Sequence, residues 1–92
     1  MFAIAFDLDT NDTRRIHPKG LTQAYAGIRN LLATFDFEWR QGSVYTSNNE
    51  DLSNLFRTLN ALKSLPWFPV SVRDLRAFRV EQWSDFTAEM KS

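Results

Sequence analysis

No cysteine occurs in the 92 residues, which excludes disulfides, thiolate zinc sites, iron–sulfur clusters and a Cys nucleophile. Nothing therefore demands an oxidising compartment. Glycine and proline are scarce, three of each, and no segment is repeated or low in complexity, so no interdomain linker is expected. Charge of one sign is also missing. Eleven Lys and Arg balance eleven Asp and Glu, so any site for a polyanion must be a local patch. No apolar run approaches the ~20 residues that span a bilayer, and Met1 leads into Phe2-Ala3-Ile4-Ala5-Phe6 without basic residues, so a cytoplasmic chain with no membrane partner is expected. A single histidine argues against a paired-histidine ribonuclease mechanism, and no P-loop, G-x-G-x-x-G or H-E-x-x-H motif is present.

What is present is a large apolar load. Hydrophobic residues make up 43% and aromatics 14% of the chain. A chain this short, read as one domain over residues 1–92, buries only roughly two-thirds of its unfolded surface. The excess favours an oligomer, expected to be a homodimer, although aromatics can also fill a monomer core. Phe2, Ile4 and Phe6 alternate with Ala3, Ala5 and Asp7, the period of a strand, which is placed at 1–9. Residues 10–20 are polar and read as a long exposed loop. Leu21, Ala24, Tyr25, Ile28, Leu31, Leu32 and Phe35 recur at helical spacing over 21–35. Residues 37–46 read as extended, either one strand bent at Gly42 or two short strands. Ser47-Asn48-Asn49-Glu50 fits a capping box for a helix over 48–64, striped by Leu52, Leu55, Phe56, Leu59 and Leu62. Pro66 and Pro69 end it; a last strand follows at 75–80, and the terminus reads either as a short helix capped by Ser84 and bearing Phe86 and Met90 or as a docked tail. This order suggests an α+β sandwich of the split βαβ, ferredoxin-like kind.

Asp7 and Asp9 share one face of the first strand if it stays regular, and two neighbouring carboxylates can hold Mg²⁺ or Mn²⁺ or share a proton. The plainer reading, that they end the strand and cap the loop, is the more common use of D-x-D. Ser43 and Tyr45 point to one side of the second extended segment, where hydroxyls can position a phosphate. Arg73, Arg76 and Arg79 form no single-faced patch, although an arginine near the Asp7 end can contact phosphate. Arg14 and Arg15 in the long loop can bind RNA phosphate or an acidic inhibitor, or simply be solvated. His17 can titrate near neutrality but more often such a residue is solvated. Trp39, Trp67 and Trp83 can stack bases or anchor a core.

Five segments in order, Met1-Phe2-Ala3-Ile4-Ala5-Phe6-Asp7-Leu8-Asp9, Ala24-Tyr25-Ala26-Gly27-Ile28, Gln41-Gly42-Ser43-Val44-Tyr45, Ser71-Val72-Arg73-Asp74-Leu75-Arg76 and Phe78-Arg79-Val80-Glu81, together resemble the virulence-associated protein D family nearly end to end. The resemblance implies a bacterial ferredoxin-like dimer that acts as an endoribonuclease, often the toxin of a toxin–antitoxin pair. Its fold is similar to that of small CRISPR-associated nucleases with one aspartate per subunit near the twofold axis. It carries the strand-one aspartate onto Asp7, with Asp9 less firmly included, and the Q-x-S-V pattern onto Gln41, Ser43 and Val44. The expected catalytic set is Asp7, Asp9 and Ser43, with Arg14, Arg15, Gln41, Tyr45 and Arg76 toward RNA. Mg²⁺ or Mn²⁺ at Asp7 is the expected ion, the metal requirement itself being undecided by the resemblance. The competing expectation is a non-enzymatic dimer that docks RNA or protein.

Overall fold

A computed structural model describes every residue from Met1 to Ser92. Strand β1, Phe2–Leu8, forms as its alternation requires, with Phe2, Ile4, Phe6 and Leu8 buried and Asp7 exposed. The chain does not then enter a loop. Thr10–Ile16 is helix α1, a correction to the expected exposed loop over 10–20. Polar composition hid it because its order comes from its cap: Asp9, in extended backbone, accepts the Asp12 amide at 2.9 Å. Thr13 is buried beneath it, its hydroxyl donating to the Asp9 carbonyl. Asp12 in the first turn and Arg14 and Arg15 in the last also complement the helix dipole.

Helix α2, Gly20–Ala33, buries Ala24, Ile28 and Leu32 on one stripe. Asp36 then takes φ 68°, and the Phe37 amide returns to the Leu32 carbonyl at 3.0 Å. This is a Schellman-type ending with Asp where glycine is usual. The extended segment resolves into two strands, β2 (Glu38–Gln41) and β3 (Val44–Ser47), turning at Gly42 with φ 48°. Helix α3, Leu52–Lys63, starts later than expected. Its cap is Asp51, whose carboxylate accepts the Ser53 amide and hydroxyl, whereas Ser47 ends β3 and is buried. Leu55 and Leu62 are buried, but Leu52 and Phe56 are exposed, so the predicted stripe is only partly a core stripe.

A short turn of helix, α4 (Phe68–Ser71), leads into β4, Val72–Arg79, which begins before Leu75 because Val72 already pairs with Leu8. Helix α5, Thr87–Lys91, is preceded by Asp85, not Ser84, as the side chain that receives the Thr87 amide. Phe86 and Met90 are left exposed.

The sheet order is β2-β3-β1-β4, antiparallel throughout. β1 and β2, joined through helices, flank β3, and the chain's last strand returns beside its first. The thirteen-residue core lies between one face of this sheet and the helices; it includes Ile4, Phe6, Ile28, Leu32, Phe37, Leu62 and Phe68. Asn54 is buried there too, its amide donating to the Phe35 carbonyl at 2.9 Å, which joins α3 to the end of α2.

Candidate active site on the open sheet face

Register decides which side chains share the face that helices do not cover. Residues directly opposite in an antiparallel pair point the same way. Asp7 stands opposite Asp74, Ala5 opposite Arg76 and Ala3 opposite Phe78. On the other side of β1, Ala5 faces Val44 and Ala3 faces Thr46. Asp7, Asp74, Arg76, Val44 and Thr46 therefore share one face, open at Asp7, Asp74 and Arg76, whereas Thr46 is buried with its hydroxyl accepting from Arg40 Nε at 2.6 Å. The small side chains of Ala3 and Ala5 leave that face low along β1, and Asp7 ends the row.

Asp7 and Asp74 are like charges across adjacent strands, an arrangement that destabilises a sheet. The partial remedy is Arg76, whose Nε donates to both Asp74 oxygens at 3.0 and 3.2 Å. Asp7 has no ion-pair partner. The register slips immediately after Asp7, where Arg73 is the extra residue between the Asp7–Asp74 and Leu8–Val72 pairs. Such bulges re-aim side chains at strand ends. Sequence spacing alone did not single out Asp74. Its signal was the length of β4: a strand beginning at Val72 places Asp74 against Asp7.

The other expected site residues separate. Asp9 lies past the strand, and its carboxylate is occupied in capping α1, so the regular D-x-D face does not form. Tyr45 is opposite Ile4 and Trp39, on the helix-covered face, and only 2% exposed. Its ring stacks on Phe6 at 6.0 Å, and burial pushes its hydroxyl pKa up against the lowering influence of Arg29. It is a core residue, which corrects its expected place on an RNA-facing surface. Ser43 stands at the β2–β3 turn with its carbonyl accepting the Phe6 amide at 3.2 Å. Gln41 borders a cleft of about 410 Å³ shared with Arg40, Trp83 and Met90.

Arg14 and Arg15 are carried by α1, which packs against α2 and α4 in the helical layer. Arg15 pairs with Asp12 at 2.9 Å; Arg14 is exposed without an ion-pair partner. His17 sits edge-on to Trp67, with its Nδ1 accepting the Lys19 amide, so its ring belongs to this same layer. Near the end of β1, the buried Ser71 hydroxyl has no hydrogen-bond partner, while its carbonyl accepts the Asp9 amide at 2.7 Å.

The donor set bears on a metal. No cluster of three or more His, Asp or Glu side chains is present in one chain. Asp7 and Asp74 offer two carboxylates. Mg²⁺ is commonly held by one or two carboxylates with water and substrate phosphate completing its shell, so this pair suits an ion shared with a phosphodiester and does not suit a closed structural site.

No family model matches the chain. Individual known proteins do. It is 61% identical, over the full length of both, to a protein of Neisseria gonorrhoeae named an endoribonuclease VapD homolog. It is 59% identical to the endoribonuclease VapD of Haemophilus influenzae, over 95% of this chain and 94% of that one. With the endoribonuclease VapD of Dichelobacter nodosus identity is 46%, over 99% and 98% of the two chains. Identity of this extent along the whole length fixes the kinship that the five spaced segments suggested: the chain belongs to the VapD family.

Proposed function

We infer that the protein is an endoribonuclease that cuts RNA at the open sheet face, with Asp7 as the central catalytic group. The observation that carries this reading is the exposed Asp7–Asp74 rung beside Arg76. Opposed carboxylates cost a sheet stability, and a catalytic or ion-binding role is what would retain them. Asp7 either binds a divalent ion or takes the proton of the attacking hydroxyl. Mg²⁺ or Mn²⁺ is the ion these donors suit, and it would lower the pKa of a bound water and polarise the phosphoryl oxygens. Arg76 supplies positive charge toward the phosphate, and Ser43 and Gln41 lie at the turn that extends the face beyond β1.

The sheet order and the split pairing of β1 and β2 around β3 support a ferredoxin-like assignment. A homodimer formed about the open face would bring two copies of Asp7 near a twofold axis, where mutual repulsion raises one proton affinity or recruits a cation. In the toxin role that the family resemblance implies, a protein antitoxin would act by covering this face or changing the dimer.

The test is cleavage of end-labelled RNA by purified protein with and without EDTA, alongside Asp7→Asn of unchanged fold and mass. Cleavage by the parent and none by Asp7→Asn is expected. A variant as fast as the parent would remove Asp7 from the chemistry, and EDTA-resistant cutting would remove the metal. RNA binding with no new ends would instead establish a docking module.

A further inference from the structure

Three other concavities flank the sheet, and charge separates them. The one beside the β2 start holds two carboxylates, Asp36 and Glu38, and one cation, Arg40, which is already paired with Glu38 at 3.5 Å, so it offers a phosphate no free positive charge. The one between α3 and β4 is walled by Leu59, Phe68 and Leu75 with almost no polar surface. The third, about 320 Å³, is bounded by Tyr25, Ala26 and Arg29 of α2, Trp39 of β2, Gly42 and Tyr45. That volume sits at the lower end of the roughly 300–1,000 Å³ common for small-ligand sites.

Its lining residues hold one another in place. Tyr25 and Arg29 are one helical turn apart, so both look from α2 toward the sheet edge. Trp39 is fixed by its indole N–H, which donates to the Gly42 carbonyl at 2.9 Å, and it remains 44% exposed. The Arg29 guanidinium lies 4.7 Å from the Trp39 ring centroid and is paired with no carboxylate. A guanidinium resting on an aromatic ring still offers its outer plane to a base and its edge N–H groups to phosphate. Single-stranded nucleic acid is bound through this combination of flat aromatic platforms and unpaired positive charge.

The geometry points to a nucleotide-stacking subsite on the helix-covered side of the β2–β3 turn, in which Tyr25, Trp39 and Arg29 take one base of single-stranded RNA and its phosphate. The inference rests on the RNA-cleaving reading and extends it. Asp7 is on β1 and Trp39 on β2, two strand spacings across and three residues along from one another, roughly 14 Å between backbones, and they face opposite sides of the sheet. The base held here is a flanking one, with the RNA passing around the Gln41–Ser43 turn. Trp39 and Arg29 are positioning residues in this scheme.

The experiment measures the Kd of a short fluorescein-labelled single-stranded RNA by anisotropy across salt concentrations, together with kcat and KM for its cleavage. Trp39→Leu is expected to weaken binding about 5- to 150-fold, the range for loss of one stacked base at ~1–3 kcal/mol. Trp39→Phe, which keeps a ring, should fall between variant and parent. Arg29→Gln should lower the slope of log K against log salt by about 0.7, one phosphate contact on a single strand. In both, the loss should fall on KM more than on kcat, while Asp7→Asn loses kcat and keeps Kd. Arg29 is exposed, so its variant carries the test if Trp39→Leu does not fold. Parental Kd and salt slope in Arg29→Gln and Trp39→Phe would overturn the subsite and leave the catalytic reading standing. A parent that neither binds nor cuts RNA would overturn both.

Discussion

Replacing Asp7 by Asn should abolish cleavage and at the same time stabilise the protein. Asp7 and Asp74 face each other across β1 and β4, and like charges so placed cost about 0.2–1 kcal/mol. Asn keeps the size and removes one charge. For a domain of this length each kcal/mol moves Tm by roughly 4–8 °C, so the full range is about 1–8 °C. Arg76 already offsets part of the repulsion through Asp74, and Arg76 is 74% exposed and screened, so a gain of about 1–4 °C is expected in EDTA at low salt. The gain should shrink at high salt. Asp74→Asn should give a comparable gain in the same buffer, and the double variant less than the sum, because the second change has no repulsion left to relieve. Mg²⁺ should raise the Tm of the parent and not of Asp7→Asn if an ion sits on this pair. Scanning calorimetry of the four proteins at two salt concentrations checks all of this. A salt-independent fall in Tm for Asp7→Asn would refute the reasoning, since it would mean that the Asp7 carboxylate is a structural acceptor.

Three further outcomes are expected from the capping and turn residues. Asp9→Ala should destabilise by about 1 kcal/mol, range 0.5–2, in urea unfolding, because the Asp12 amide loses its acceptor; an unchanged midpoint would mean that α1 is not held by this cap. Gly42→Ala should cost about 1 kcal/mol through its φ of 48° alone, since open space surrounds the added methyl, and Gly42→Asn should cost less. The Ser53 hydroxyl and amide hold the Asp51 carboxyl below its usual range. Its folded-state pKa is thus lower than its unfolded one, so the stabilisation is complete above the unfolded value and is lost as pH falls through the folded one. Thermal melts from pH 6 to pH 2 should therefore decline more steeply in the parent than in Asp51→Asn, and parallel curves would contradict the cap.

Patterns that repeat were legible in the sequence; single contacts were not. The alternation of β1 and the stripe of α2 announce themselves because each residue's burial follows from its neighbours' spacing. Helix α1 was missed because its six polar residues and lone Ile16 carry no stripe, and what orders them is one carboxylate at Asp9 and one buried hydroxyl at Thr13. The same competition moved the start of α3, where Asn49 and Asp51 form local turns that Ser47-Asn48-Asn49-Glu50 only imitates. Asp7 was found from spacing and resemblance. Asp74 and the Arg29–Trp39 pair were not, because a cross-strand rung and a helix-to-edge contact depend on register, which no local pattern contains.

The place of β1 in the sheet has a consequence for synthesis. Its two hydrogen-bonding edges need β3 and β4, and β4 leaves the ribosome about seventy residues later. At ~5–20 residues per second that is a wait of about 4–14 s. During it the uncharged stretch Phe2-Ala3-Ile4-Ala5-Phe6, rich in strand formers and free of proline, has only a provisional partner in β3 and is open to pairing with other chains. No shorter fragment can assemble the Asp7–Asp74 rung. On the proposed reading, cleavage awaits nearly the whole chain, and a product truncated before Val72 is expected to be inactive and prone to aggregate.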